Sequence, residues 1–268
     1  MLAFDRQGEG APLLLLHGTN SSREVWDPII TQLSAHCEVI RVDLPAHGLS
    51  PPTSFTPPAF ALDLSEFLAE LGLHRPAVLG HSVGGWTALE LAKLGQVSSV
   101  LALAPAGLWR RRSPLLTDIG LSASWRLGRL LGPSIVEKSL ARPLGRRAGL
   151  GWISAQAQEL PRQLALQSAR AAIASKHFPE HFRQTRKLRF TDGHLIPATV
   201  AIRVIWGERD HVAPANRSRS MSELPGHARS ETWPECGHMI MWDQMAQTIQ
   251  AALETVHVQS SPPLALPD

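Results

Sequence analysis

An apolar run, Pro76-Ala77-Val78-Leu79, gives way to Gly80-His81-Ser82-Val83-Gly84 and then to a helix-forming stretch from Gly85 to Leu94. This passage constrains the chain more than any other. A buried strand that turns sharply into a helix around G-x-S-x-G is a nucleophile elbow. The turn lifts the serine hydroxyl clear of the sheet edge, and glycines flank it because a Cβ there would crowd the backbone. The five residues alone are a weak signal, so their surroundings must decide.

The surroundings alternate. Leu2-Ala3-Phe4 reads as an edge strand, Pro12–Leu16 as a buried strand and Trp26–Leu33 as a short helix. Glu38–Val42 reads as a strand, and Pro57–Leu71 as a helix with Phe60, Leu64, Phe67, Leu68 and Leu71 on one face. The strand into Ser82, the helix after it and a strand over Val97–Leu103 follow. Strand–helix alternation implies a parallel sheet covered on both faces. It stops near Pro105 and resumes at Val200–Trp206. A helix over Pro214–Met221, a strand over Ala228–Trp233 and a last helix over Asp243–Val256 come next. The expected organisation is a core from residues 1–107 and 188–258, a helical cap over 108–187, and a loose tail at 259–268. Such a cap would cover the strand ends, where open α/β sheets bind ligands.

Charge separates the same two regions. The chain of 268 residues carries a net +3, but residues 108–187 hold 15 Lys and Arg against 4 Asp and Glu. A solvated helical surface explains that excess most simply. The sharper reading is a basic face for an anionic substrate, an acidic carrier protein or a lipid surface. No recognition motif accompanies the charge, so nucleic acid is not an expected partner. No apolar run has the length of a membrane span. Met1–Arg6 lacks the basic-then-apolar order of a secretory signal, and the cysteines, Cys37 and Cys236, make no disulfide or metal framework. A cytoplasmic location is therefore expected.

A serine hydroxyl is a weak nucleophile at neutral pH. It needs a base within hydrogen-bond reach, and the base needs a carboxylate to orient it. Gly207-Glu208-Arg209-Asp210 follows the strand ending at Trp206, so its acid should stand at the same sheet edge as Ser82. Gly237-His238 follows the next strand and should reach that edge too. An oxyanion hole requires backbone N–H groups near the serine. Val83, directly after Ser82, is one candidate. The loop after Pro12–Leu16 offers the other, Thr19 with Asn20 as alternative, and His17 would brace that loop.

Five blocks in order are similar to those of the α/β-hydrolase superfamily: Leu16–Ser22, Arg41–Ser50, Gly80–Gly85, Trp206–Asp210 and Gly237-His238. One block departs from the family pattern, with Ala46 where a glycine is usual. The resemblance implies an α/β fold with a mostly parallel sheet of seven or eight strands. It has helices on both faces and a helical cap inserted after the sixth family strand; the first family strand is expected to be missing. It favours Asp210 over Glu208 as the acid and gives the triad order Ser82, Asp210, His238. Met239, Trp109, Asn20 and His81 are candidates for the substrate pocket. Met239 could equally pack in the core, and packing against the body is the favoured reading for the cap tryptophans Trp109, Trp125 and Trp152. His81 is read as a core or pocket residue rather than a second base. The implied activity is hydrolysis of a small-molecule carboxylic ester, with no metal and no organic cofactor. The alternative is a C–C bond or lactone hydrolase on the same triad, and a non-catalytic receptor ranks below both. His81 before the serine and Met239 after the histidine speak against C–C cleavage, where Asn and Trp are common. Epoxide hydrolases and dehalogenases of this fold use an aspartate nucleophile, which Ser82 disfavours.

Overall fold

A computed structural model describes residues 1–260, with side-chain surroundings through His257. Seven strands form one sheet: β1 (Phe4–Gln7), β2 (Pro12–Leu16), β3 (Glu38–Val42), β4 (Ala77–His81), β5 (Ser99–Leu103), β6 (Ala201–Gly207) and β7 (Arg229–Trp233). Their spatial order is β1-β3-β2-β4-β5-β6-β7. β1 runs antiparallel to β3, and every other pairing is parallel. The inner strands explain themselves. Leu13–Leu16 and Ala77–His81 are buried throughout, as strands covered on both faces must be.

The helices of the body are α1 (Asp27–Ser34), α2 (Pro57–Glu70), α3 (Val83–Lys93), α8 (Ala215–Ser218), α9 (Ile240–Asp243) and α10 (Met245–Ser260). Between β5 and β6 the chain leaves the sheet and forms α4 (Leu115–Leu140), α5 (Pro143–Leu150), α6 (Arg162–Ala174) and α7 (Phe178–Thr185). α4 is bent at Gly132, whose φ of 75° and ψ of 163° are not helical and directly precede Pro133.

Several boundaries differ from expectation. β1 begins at Phe4, not Leu2, because it pairs with β3 from Phe4↔Val42 onward. Trp26 closes a 3₁₀ turn, Arg23–Trp26, before α1 begins. The helix expected over Pro214–Met221 shrinks to α8, since the chain turns at Arg219 and its guanidinium bonds the carbonyls of Gly207 and Ala213. The expected loose tail lies outside the described residues from residue 261 onward, and α10 runs through Ser260.

The sheet order places the site. β2 is followed in sequence by β3 on one side and by β4 on the other. The crevice outside the carboxyl ends of β2 and β4 is therefore a topological switch point, where parallel sheets admit ligands. The loop after β2 and the turn after β4 carry Thr19 and Ser82 to that crevice.

Candidate active site

Ser82 has φ 53° and ψ −115°, a left-handed conformation that costs free energy for any residue with a Cβ. The surroundings enforce it. The Ser82 N–H donates to the Leu103 carbonyl at 2.9 Å, and its own carbonyl accepts from Trp86 at 3.0 Å and Ala106 at 2.9 Å. The glycines on either side are obligatory by contact. A Cβ on Gly80 would stand 2.3 Å from the Gly84 oxygen, and one on Gly84 would stand 2.2 Å from the Leu16 oxygen.

Asp210 and His238 meet as their loops suggested. The His238 Nδ1–H donates to Asp210 Oδ2 at 2.9 Å, which leaves Nε2 as the ring's acceptor. The other carboxylate oxygen of Asp210 accepts the N–H groups of Val212 and Ala213, each at 2.8 Å. Burial by itself would raise the Asp210 carboxyl. The neighbouring His238 and the two N–H donors outweigh that and hold it below the ordinary carboxylate value. Ser82 and His238 line one cavity and form no hydrogen bond with each other.

That cavity is narrow, about 50 Å³, and lies between the sheet edge and the inserted helices. Thr19, Val83 and Trp109 are on its wall. The amide N–H groups of Thr19 and Val83 have no partner among the described residues. The loop that carries Thr19 is braced by His17. Its ring accepts the Leu44 N–H at 3.0 Å and donates to the Gly18 carbonyl at 2.7 Å. Trp109 donates its indole N–H to Leu188 at 2.9 Å and packs edge-on against Trp86.

Three pocket candidates are not on the wall. Side chains alternate along a strand, and His81, at the end of β4 beside Ser82, points behind the site. There its ring donates to the His238 carbonyl at 3.1 Å and packs against the His238 ring. Burial pushes its imidazole well below the usual value, so it is neutral. Met239 turns into the hydrophobic core as its N–H pairs with Ile153 of the insertion. Asn20 takes φ 55° in its loop, and its side-chain oxygen is buried without a partner.

The sequence reading missed the far wall. His181, Phe182 and Thr185 of α7, with Arg186 after it, line the cavity. Phe178, His181, Phe182 and Thr185 do share one face at helical spacing. That signal marks a packed face but does not say which cavity it closes. His181 donates to the Phe55 carbonyl at 2.8 Å, and its ring lies 5.0 Å from that of His47, itself 5.3 Å from that of His17. This chain of buried rings joins α7 to the body.

A second junction lies beneath the His238 loop. Asp243 accepts the Gly237 N–H at 2.7 Å, the Ala155 N–H at 2.9 Å and the Ser154 hydroxyl at 2.6 Å. One carboxylate therefore holds both that loop and the insertion. A larger hollow, about 600 Å³, lies at the opposite edge of the sheet, along the first residues of β5, β6 and β7. Its wall includes none of Ser82, Asp210 or His238.

A family model described as the alpha/beta hydrolase family matches residues 13–251. Epoxide hydrolase EphH of Mycobacterium tuberculosis is 30% identical over 209 residues, covering 72% of this chain and 94% of that protein. Pimeloyl-[acyl-carrier protein] methyl ester esterase of Legionella pneumophila is 36% identical over 89 residues, which is 33% of this chain and 35% of that one. Among solved structures, the meta-cleavage product hydrolase CumD of Pseudomonas fluorescens superposes with a TM-score of 0.74 at 21% identity, covering 96% of this chain and 94% of the other. The seven-stranded sheet, the strained turn at Ser82 and the matched span agree: this chain belongs to the alpha/beta hydrolase family.

Proposed function

We propose that the protein is a serine hydrolase that cleaves a carboxylic ester. The observation that carries this reading is His238, paired with the buried Asp210, facing the same cavity as the strained Ser82. Ser82 Oγ attacks the ester carbonyl carbon as His238 Nε2 takes its proton. The N–H groups of Thr19 and Val83 receive the negative oxygen of the tetrahedral intermediate. Collapse breaks the C–O bond, and His238 returns the proton to the leaving alcohol. Water then attacks the acyl-enzyme with His238 again as base, releasing the acid and restoring Ser82. Asp210 stays ionised throughout, fixes the imidazole tautomer and stabilises the imidazolium.

Two features refine the substrate. The cavity volume suits a short acyl group unless the insertion shifts, since sites for larger ligands measure roughly 300–1,000 Å³. Arg186 lines the cavity and is answered only by Asp118 at 3.9 Å, which favours an ester with a negative group. In this reading residues 108–187 act as the cap. The esterase relative, whose name gives an acyl-carrier-protein substrate, supports the ester reading over the matched third of the chain. The epoxide-hydrolase relative does not shift it, because the elbow residue here is a serine.

Hydrolysis of p-nitrophenyl esters from acetate to dodecanoate, by wild type and Ser82→Ala, tests the proposal. The expected result is fastest turnover on the short esters and a loss of at least about 10,000-fold in the variant. No turnover on any ester by folded wild-type protein overturns it.

A further inference from the structure

The longest helix of the insertion leaves a face of large apolar side chains in solvent. Leu116, Ile119, Leu127 and Leu130 of α4 follow one another at steps of three, eight and three residues, so all four lie on one side of the helix. Ala123 fills the middle step, and Leu131 borders the stripe. Leu116 is 78% exposed and Leu130 is 83% exposed. The opposite side packs: Thr117 bonds the Val212 carbonyl at 2.6 Å, Leu121 lines the Ser82 cavity, and Trp125 donates to Ser175 at 3.1 Å. The outward stripe runs for about 21 Å. An isolated exposed leucine needs no explanation, whereas a contiguous stripe does.

The charges beside the stripe identify what covers it. The ion pairs of the insertion join Glu137 to Arg170, Glu180 to Arg183 and Asp118 to Arg186. Arg111, Arg126, Lys138, Arg142 and Arg147 remain exposed and form no ion pair among the described residues. Arg126 borders the stripe by helical angle, Arg111 precedes the first turn of α4, and Lys138 lies one turn beyond the exposed Ile135. A second copy of the chain would bring one basic insertion against another, with 15 cationic and 4 anionic side chains on each. That pairing repels. A surface both apolar and anionic satisfies the leucines and the arginines together, and a helix of this kind lies in the plane of a lipid interface.

We propose that the outer face of α4 docks the protein on an anionic lipid surface, its leucines in the acyl boundary and its arginines among the headgroups. No helix among the described residues is long and apolar enough to cross a membrane, so the contact is peripheral and reversible. It does not depend on the ester reading. If both hold, the docked helix forms a wall of the cavity through Leu121, and amphiphilic esters would reach the site from the lipid side.

Co-sedimentation with phosphatidylcholine vesicles containing about one third phosphatidylglycerol tests this. The full chain should partition onto these vesicles and hardly at all onto phosphatidylcholine alone. High salt should release it. The combined Leu116→Ser, Leu127→Ser, Leu130→Ser variant and the Arg111→Glu, Arg126→Glu variant should each lose about tenfold or more in partitioning. Their far-UV circular dichroism and p-nitrophenyl acetate turnover should stay at wild-type levels. A dye on Leu130→Cys, a single surface change, should shift its emission to the blue only with the anionic vesicles. Absence of wild-type binding, or binding unaffected by the leucine changes, overturns the proposal. So does a dimer in gel filtration that the leucine variant dissolves, or leucine-dependent binding of an acidic acyl carrier protein without binding to vesicles.

Discussion

The edge of the sheet and the helix α4 both bend the backbone at a special residue, for different reasons. At the sheet edge Gly80 and Gly84 are required by contact, because a methyl group at either would overlap a carbonyl oxygen. In α4 a methyl group on Gly132 would meet no atom within 4 Å, and only the local φ and ψ call for glycine. The body achieves its geometry by packing against several neighbours at once. The insertion achieves it by backbone preference in a surface setting. Density and hydrogen bonding decide what can vary in the first case, and a single torsional well decides in the second.

Variants can sharpen or break that contrast. The largest effect is expected where the body holds the proposed chemistry. Asp210→Asn keeps an acceptor for Val212 and Ala213 but loses the charge and permits the wrong imidazole tautomer. Ester turnover should fall about 10,000-fold with little change in thermal midpoint. A fall of less than tenfold would remove Asp210 from the proposed triad. Gly84→Ala should destabilise by about 3 kcal/mol or more in denaturant titration, because the Leu16 backbone cannot give way. Gly132→Ala should cost only about 1–2 kcal/mol, for strain without collision. Equal costs at the two glycines would break the comparison.

The seam between the regions should respond to acid. Burial lowers His17 to about 4, His47 to about 3 and His181 to about 3, from an ordinary 6.5. Because these rings resist protonation when folded, the unfolded chain binds protons first as pH falls. Stability present above about pH 6.5 should therefore drain away toward pH 4. His47→Gln should flatten that slope by about 1.4 kcal/mol per pH unit. An unchanged slope would mean the rings do not hold the seam closed to protons. The smallest effect is expected on the open surface of the insertion. Arg142→Ala should move stability by no more than about 0.5 kcal/mol in a melting experiment.

The same contrast explains what could be read from the chain before folding. The inner strands of the body are largely apolar runs, and the strand ends carry Ser82, Asp210 and His238 in recognisable turns, so both the sheet and the pairing of Asp210 with His238 were legible. Ala46 takes φ 65°, a left-handed conformation that a glycine adopts freely and that costs an alanine free energy. The cavity wall was not legible. Met239 and His81 sit next to site residues in sequence, yet strand alternation and a turn send them into the core. His181 and Thr185 lie far away in sequence and reach the cavity only because α7 folds back over the sheet. Adjacency along the chain predicts loop neighbours well and opposing walls badly. The leucine stripe was illegible for a related reason. Helical spacing shows that residues share a face but cannot say whether that face is covered.

Asp243 ties the amides of Gly237 and Ala155 through one side chain. When that carboxylate lets go, both amides lose their acceptor in the same event. The two should thus open as one cooperative unit, with matching protection factors, although they lie in different parts of the sequence. Whatever loosens the insertion would then loosen the His238 loop in the same event.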